Sequence, residues 1–342
     1  MGSKPKVLII YTGGTIGMIE NPETGMLSNV DFKHVIEHVP ELKRLNVELD
    51  SFSFEPPVDS SEMNKEHWSA VAKTIFEKYL HYDGFVVLHG SDTMAYTASA
   101  LSFMFDGLKK PIIFTGSQLP IGIIRTDGKE NLITAIEMAA LKDSNGESVI
   151  QEVAVYFDYS LFRGNRCTKD SAENFEAFRS PSFDLLASVG VEIKVYHHLL
   201  YRSDKNEVEL SMKLNDKVLL IKLFPSMNIT PYGKLISRKD YDGIIIESFG
   251  AGNMPQSKEF EHLLQDFSND GGVILNITQC NTGKVHHGKY ESSNIFDKSR
   301  AVAGGNLTSE CAVTKLMFLL ANYSEAETRD LLSKSLRGEV DF

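Results

Sequence analysis

Cysteine is scarce in this chain, which has only Cys167, Cys280 and Cys311 among its 342 residues. An odd number of widely spaced cysteines gives no disulfide framework and no C-x-x-C metal pair, and it favours a reducing compartment such as the cytoplasm. The motif H-E-x-x-H is missing, and the adjacent pairs His197-His198 and His286-His287 would diverge on a strand or helix. The sequence therefore predicts no metal site, and no motif in it requires a cofactor.

An excess of basic residues is also missing, since the formal net charge is -11 at pH 7. Non-specific nucleic-acid binding depends on basic patches that neutralise phosphates, so we expect no nucleic-acid partner. No apolar run is long enough for a membrane span, and none near Met1 is typical of a signal peptide. We expect a globular cytoplasmic protein that does not bind membranes.

Short apolar runs rich in β-branched residues alternate with segments of helical periodicity in the first half. Because these runs are apolar on both faces, the alternation predicts a parallel sheet covered by helices. Asn64 is the predicted N-cap of one helix. The predicted strands are 7–11, 47–54, 85–89, 111–115 and 153–157, and the predicted helices are 66–80, 93–105 and 131–141.

The second half repeats this alternation after a polar stretch. We predict an α/β fold with two domains. Residues 1–190 would form the larger N-terminal domain, a mostly parallel sheet sandwiched by helices in a flavodoxin-like or Rossmann-like arrangement. Residues 191–215 would be a linker, and residues 216–342 a smaller C-terminal α/β domain.

A glycine-rich turn, Y-T-G-G-T-I-G-M, follows the first predicted strand. Its spacing G-G-x-x-G is not the dinucleotide fingerprint G-x-G-x-x-G, and no lysine follows to complete a P-loop. What remains is a strand, a tight turn that needs the conformational freedom of glycine, and Thr15 at its exit. Taken alone, this pattern fits a turn that presents Thr15 for a functional role and, equally well, a structural turn that only caps the next element.

The predicted strands run into polar residues, mostly hydroxyls, at their carboxyl ends. Ligands bind at this edge of an open parallel sheet, so we expect these side chains to converge. The groups are Thr12 with Thr15, Asp59-Ser60-Ser61, Ser91-Asp92, Thr115-Gly116-Ser117 and Thr168-Lys169-Asp170.

Each group also has a structural interpretation. Ser60 or Ser61 could close a turn, Ser91 could cap the following helix, and Lys169 could be a solvated surface lysine. Together, however, they supply hydroxyl nucleophiles, a carboxylate and a lysine that can act as a base once it is neutral. The combination indicates a hydrolase site without metal, histidine or reactive cysteine.

Several motifs resemble one known family along nearly the whole chain. T-G-G-T-I-G and H-G-S-D-T-M resemble the two signatures of the bacterial-type L-asparaginases. T-G-S-Q-L-P, R-G-N-R-C-T-K, S-F-G-A-G-N and I-T-Q-C resemble the cytoplasmic, type I branch. The resemblance implies hydrolysis of L-asparagine to L-aspartate and ammonia, by a homodimer or homotetramer with active sites near the subunit interfaces.

The same resemblance implies roles for individual residues. Thr15 would be the nucleophile that forms an acyl-enzyme, and Ser91, Asp92 and Lys169 would handle protons. The backbone around Ser117 would face the developing oxyanion. The implied substrate-binding residues are Asp59, Ser60, Ser61, Ser91, Asp92 and Ser117.

The chain departs from the family pattern at three positions. Ser91 stands where threonine is usual, so the γ-methyl that restrains χ1 is missing. Met26 is the nearest counterpart of a tyrosine that assists the nucleophile. Glu247 replaces an arginine of the allosteric members. With Thr168 and Cys280 it would form a vestigial effector pocket. Because a carboxylate cannot hold the carboxylate of an effector, we expect a non-allosteric enzyme.

Two other functions remain open from the sequence. One is the amidase subunit of a tRNA-dependent amidotransferase, which shares these motifs but has an additional N-terminal domain, whereas Thr15 lies near the start here. The other is a catalytically silent amino-acid-binding protein. The preference between asparagine and glutamine is not set by the sequence, because one methylene in a pocket changes the binding free energy by only about 1–3 kcal/mol.

Overall fold

The computed structural model describes residues 4–20, 27–29, 37–287 and 294–341. The chain divides into two compact units, Met1–Met212 and Lys213–Phe342. Among the described residues, no helix combines the length and the hydropathy that crossing a bilayer requires.

The first unit contains a large sheet, two-stranded ribbons and helices. Its strands are β1 Lys6–Tyr11, β2 Met18–Glu20, β3 Leu27–Asn29, β4 Glu48–Ser53, β5 Gly84–Leu88, β6 Phe105–Asp106, β7 Ile112–Thr115, β8 Val153–Phe157, β9 Ser160–Arg163, β10 Thr168–Lys169, β11 Phe178–Arg179, β12 Ala187–Val189, β13 Ile193–Val195 and β14 Glu209–Leu210. Its described α-helices are α1 Lys65–Lys78, α2 Met94–Met104 and α3 Gly128–Ala140.

The large sheet has eight strands in the order β13-β12-β9-β8-β7-β5-β1-β4. The five strands from β8 to β4 are mutually parallel, while β9, β12 and β13 extend the sheet in antiparallel fashion. After β1, the chain adds β4 on one side and then β5, β7 and β8 on the other. The strand order therefore reverses between β1 and β5, which is a topological switch point.

The predicted parallel α/β architecture is confirmed. The central strands β1, β5, β7 and β8 are buried on both faces apart from the first residue of β1, as their continuous apolar runs predicted. Helix α1 begins after Asn64, whose side chain accepts a 3.1 Å hydrogen bond from the backbone N–H of His67, so the predicted N-cap is correct. Helix α3 begins at Gly128, three residues before the predicted start, because its first turn carries polar residues that interrupt the apolar pattern.

Part of the segment 191–215, predicted as a linker, packs on the first unit. Strand β13 pairs with β12 at the edge of the large sheet, and β14 pairs with β6. Main-chain pairing holds these strands, and the side chains of Ile193 and Val195 pack against the core of the unit. The division between the units falls after Met212.

The second unit is a smaller α/β structure around a parallel sheet of order β15-β16-β17-β18. Its strands are β15 Val218–Lys222, β16 Gly243–Ser248, β17 Val273–Thr278 and β18 Val302–Ala303. Its described helices are α4 Tyr232–Leu235, α5 Lys258–Asn269, α6 Asn294–Lys298, α7 Ser309–Asn322 and α8 Glu325–Leu332.

Candidate active site

Most of the predicted site residues of the first unit lie in loops beyond the carboxyl ends of the parallel strands, whereas Thr168 and Lys169 lie in β10, after the antiparallel strand β9. Thr15 follows β1, and Ser91 with Asp92 follows β5, so both loops leave the sheet at the switch point between these strands. A crevice forms at such a point because the two connections run to opposite sides of the sheet.

The turn after β1 is fixed to its neighbours by Thr12. Its backbone N–H and its hydroxyl both donate to the carbonyl of Leu88, at 3.0 and 2.9 Å. Its own carbonyl accepts a 2.7 Å hydrogen bond from the N–H of Val58. These contacts join the turn to β5 on one side and to the segment after β4 on the other.

Gly14 allows this turn to pack directly against the loop after β5. Its φ of 95° is in the region that favours glycine, and a Cβ there would lie 2.5 Å from the backbone nitrogen of Gly90. The two backbones therefore touch one residue before Thr15 and one residue before Ser91. The glycine-rich turn brings two hydroxyl-bearing loops together, and Thr15 begins the short 3-10 turn Thr15–Gly17 beside this contact.

Lys169, Ser91 and Asp92 form a hydrogen-bonded cluster. The ammonium of Lys169 donates to Ser91 Oγ at 2.8 Å and to Asp92 Oδ1 at 2.6 Å. The Lys169 side chain is 16% exposed, whereas that of Asp92 is 68% exposed. Lys169 is thus a largely buried lysine aimed at a hydroxyl, and the alternative interpretation as a solvated surface lysine is wrong.

The hydroxyl of Ser91 does not cap the helix that follows it. It donates to Gln118 Oε1 at 3.1 Å, while α2 begins at Met94 without a side-chain cap from Thr93. The Thr93 hydroxyl instead donates to the carbonyl of Ser60 at 2.6 Å and so attaches the loop after β4 to this site.

Asp59 is the N-cap of a 3-10 turn, Ser60–Glu62, which lies next to Gly90. Asp59 Oδ1 accepts hydrogen bonds from the Ser61 backbone N–H at 2.8 Å and from the Ser61 hydroxyl at 2.9 Å. The interpretation of Ser61 as a turn-closing residue is therefore correct. Ser60 is buried, and a Cβ at Gly90 would lie 2.5 Å from its Oγ, so glycine at 90 leaves room for this hydroxyl.

Ser117 lies in the loop after β7, which also carries Gln118. The Ser117 hydroxyl is buried and donates to the carbonyl of Leu119 at 2.6 Å, so this side chain stabilises its own loop. The carboxylate of Asp127 accepts the backbone N–H groups of Gln118, at 2.9 and 3.1 Å, and of Leu119, at 3.2 Å. Burial nevertheless raises the pKa of Asp127.

His89 is a buried residue beneath the site to which the sequence assigned no role. Its Nδ1 donates to the carbonyl of Gly90 at 2.7 Å, because a carbonyl can only accept, and its Nε2 lies 2.9 Å from the Thr97 hydroxyl. Because the ring is fully buried, the neutral form is favoured. Burial lowers the pKa of His89 to about 4.

The neutral state of His89 predicts a pH-dependent loss of stability. The unfolded chain binds a proton at this residue near pH 6.5, whereas the folded chain does so only near pH 4. Stability is therefore complete above about pH 6.5 and falls between these values by about 3 kcal/mol. In urea unfolding followed by the fluorescence of Trp68, the single tryptophan, wild type should lose this amount relative to His89→Gln. A difference between the two proteins that does not change with pH would contradict the prediction.

The three residues predicted as a vestigial effector pocket belong to different units. Thr168 lies in β10, which pairs with β11, while Glu247 is in β16 and Cys280 follows β17. Glu247 is buried, accepts a hydrogen bond from the Ser309 hydroxyl and lies 3.3 Å from the ammonium of Lys222. Cys280 is exposed.

One predicted residue cannot be placed, and two residues that contact the site were not predicted. Met26 lies outside the described residues. Gln118 and His89 contact the cluster or its loop but were not predicted, although they occur within the motifs T-G-S-Q-L-P and H-G-S-D-T-M. A single sequence gives no reason to choose a glutamine or a buried histidine over the neighbouring hydroxyls.

Two family models match the chain in succession. The model described as asparaginase, N-terminal, matches residues 6–201, and the model described as glutaminase/asparaginase C-terminal domain matches residues 217–332. The match therefore covers both units and all the candidate residues discussed above.

Individual relatives are similar over nearly the whole chain. L-asparaginase 1 of Escherichia coli K12 is 37% identical over 341 residues, which are 98% of each chain. A glutamyl-tRNA(Gln) amidotransferase subunit of Archaeoglobus fulgidus is 31% identical over 98% of this chain and 80% of its own length. The crystal structure of L-asparaginase I from Vibrio cholerae superposes with a TM-score of 0.89 at 34% identity, covering 99% of this chain and 100% of that one. This chain therefore belongs to the asparaginase family.

Proposed function

We propose that the chain hydrolyses the side-chain amide of L-asparagine to L-aspartate and ammonia. The observation that carries the proposal is the cluster in which Lys169 donates to both Ser91 and Asp92 beside the turn that presents Thr15. The similarity to proteins named L-asparaginase over nearly the full chain supports the same substrate.

In the first step, Thr15 Oγ1 attacks the side-chain amide carbon of asparagine. The new O–C bond gives a tetrahedral species whose oxyanion faces the backbone around Ser117. The C–N bond then breaks, the hydroxyl proton of Thr15 is delivered to the leaving nitrogen, and ammonia departs. The product is an aspartyl ester of Thr15.

In the second step, water attacks the ester carbon and a proton returns to Thr15 Oγ1. Ser91 and Lys169 relay the proton from water, and Asp92 stabilises the positive charge of Lys169 through the 2.6 Å ion pair. In the resting site the lysine donates to both neighbours, so the relay requires it to pass through the neutral amine during turnover.

Asp59, Ser60 and Asp92 supply complementary groups for the charged end of the amino acid. The exposed carboxylate of Asp92 has a second oxygen available for the α-ammonium, and Asp59 offers another carboxylate. Ser60 supplies a hydroxyl for the α-carboxylate, while the hydroxyl of Ser61 donates to Asp59 and holds that carboxylate in place. Both carboxylates also exclude a purely anionic ligand from this position.

Initial rates of ammonia release test the proposal. We expect turnover with L-asparagine at a rate that does not change when glutamyl-tRNA(Gln) is added, and L-glutamine is measured alongside. Ammonia release from the free amide that occurs only when glutamyl-tRNA(Gln) is present to accept the ammonia would indicate the amidotransferase subunit instead. Tight binding of asparagine without any ammonia release would indicate a silent amino-acid-binding protein.

We also propose that the chain forms a homo-oligomer and that it is located in the cytoplasm. A homodimer or homotetramer, with active sites near subunit interfaces, is what similarity to the family suggests, and sedimentation equilibrium tests it. The cytoplasm fits three dispersed cysteines, of which two are buried and none is paired in a disulfide.

We predict hyperbolic dependence of the rate on asparagine. An effector asparagine would need a cation for its α-carboxylate, but Glu247 is a buried carboxylate already engaged by Ser309 and Lys222. Initial rates over about two decades of concentration should give a Hill coefficient near 1, whereas a value clearly above about 1.5 would contradict the prediction. Lys222→Met is the matched variant. If the wild-type curve is sigmoidal because Lys222 anchors an effector, this substitution makes the curve hyperbolic.

A further inference from the structure

Gln118 bonds to loops on two sides of the candidate site. Its Oε1 accepts the hydroxyl of Ser91 at 3.1 Å, and its Nε2 donates to the backbone carbonyl of Asn174 at 3.0 Å. Asn174 follows Lys169 by five residues, so Gln118 connects the segment that carries the lysine with the loop that carries the serine.

We infer that Gln118 is a positioning residue that fixes the rotamer of Ser91, so that its Oγ stays within hydrogen-bond distance of Lys169 and its hydroxyl has only to rotate for proton transfer. The inference rests on the proposed function, because it assigns Ser91 to the proton relay. It concerns how this relay is held in place and not which substrate is hydrolysed.

A serine at position 91 needs a positioning residue because its side chain is less restricted than that of threonine. A serine hydroxyl has staggered χ1 rotamers of similar energy and a freely rotating O–H, whereas the β-branch of threonine restricts χ1. Ser91 has one hydrogen to donate. Because that hydrogen is directed at Gln118 Oε1, a lone pair of Ser91 Oγ is left facing the ammonium of Lys169, 2.8 Å away.

The amide of Gln118 has one favourable orientation. Its donor end faces the Asn174 carbonyl, which can only accept, so exchanging the amide oxygen and nitrogen would place two acceptors 3.0 Å apart. The acceptor end is therefore the end that faces Ser91. Exchange is penalised by the repulsion between these two acceptor oxygens.

The backbone of Gln118 is also held in place. Asp127 accepts its N–H through both carboxylate oxygens and accepts a further 3.2 Å hydrogen bond from the side chain of Asn131. Asn131 donates in turn to the carbonyl of Gly116 at 3.0 Å. Since α3 carries Asn131 and begins directly after Asp127, a regular helix fixes the starting point of the Gln118 side chain.

A double-substitution cycle between Gln118→Met and Ser91→Thr tests the inference. Methionine keeps the size of glutamine but cannot accept the hydroxyl. With Ser91 present, we expect Gln118→Met to lower kcat about tenfold, as expected for one lost hydrogen bond, and to change KM less than about twofold. With Ser91→Thr present, the same substitution should lower kcat less than about threefold, because the β-branch restores the rotamer.

Gln151→Met is the matched control. Gln151 is a buried glutamine of the same unit whose Nε2 donates to the backbone carbonyl of Ser148 at 3.1 Å. This control should leave kcat and KM unchanged even where it lowers the melting temperature. A merely structural role of Gln118 would give the same pattern as Gln151.

Two outcomes would overturn the inference. One is an equal loss of kcat from Gln118→Met in the wild-type and Ser91→Thr backgrounds. The other applies even if Ser91→Thr is inactive: a crystal structure of the Gln118→Met protein in which Ser91 keeps one rotamer at hydrogen-bond distance from Lys169. If wild type releases no ammonia from asparagine, the proposed function fails instead, and this rotamer measurement still decides the role of Gln118.

Discussion

Replacing Thr15 by alanine is expected to lower kcat for asparagine by about 10⁴-fold or more, because the nucleophile of the acyl-enzyme pathway is lost. The fold should persist, since the glycine contacts and the hydrogen bonds of Thr12 hold the turn without the Thr15 side chain. Initial rates of ammonia release, together with the thermal unfolding curve, measure both effects.

Thr12→Val is the matched control for this substitution. The Thr12 hydroxyl lies in the same turn but is buried and donates to Leu88, so its loss should cost about 1 kcal/mol of stability and little activity. If Thr15 and Ser91 act in one pathway, the double variant Thr15→Ala/Ser91→Ala should be little worse than Thr15→Ala. Near wild-type turnover in Thr15→Ala would remove the basis of the proposed mechanism.

Lys169→Met is expected to lower kcat by about 10³-fold or more while product aspartate still binds, because the proton relay is lost and the substrate-binding groups remain. Lys169→Arg should not restore turnover, since guanidinium stays protonated and cannot accept a proton. Isothermal calorimetry with aspartate and initial rates with asparagine separate these effects. An active arginine variant would show that Lys169 acts only as a fixed positive charge.

The chain offers a close control for Lys169. Lys142 lies 3.0 Å from the carboxylate of Asp83 and donates to the Ser148 hydroxyl at 3.2 Å, so it reproduces the lysine, serine and aspartate combination away from the switch point. Lys142→Met removes the same interactions and should leave kcat unchanged. A similar loss of activity in both variants would point to destabilisation of the unit rather than to a relay.

The sequence predicts the parallel half of the fold well, and the reason is physical. Strands buried on both faces read as continuous apolar runs, and Asn64 marks the start of α1 through its side-chain hydrogen bond. The antiparallel strands β12 and β13 were not predicted, because each has only three residues, although their apolar side chains pack against the core. An alternation over three residues is too short to distinguish a strand from a loop.

The candidate site was only partly predictable for a related reason. The approach of the loops that carry Thr15 and Ser91 follows from strand ends that meet at one edge of the sheet. The position of Lys169 does not follow in this way, because the antiparallel strand β9 separates β8 from β10. The partner of each hydroxyl does not follow, because Ser91 could equally cap α2, and only the structure directs it to Gln118. Side-chain direction depends on loop geometry, which residue type alone does not set.

The covalent role of Thr15 underlies every step of the proposed mechanism, and mass spectrometry of acid-quenched enzyme can detect it. Wild-type protein turning over saturating asparagine is quenched at a series of times, digested and searched for an aspartyl ester. We expect the ester on Thr15, and its absence from the Thr15→Ala protein. An ester on Ser91, or steady turnover with no ester at any quench time, would contradict the mechanism.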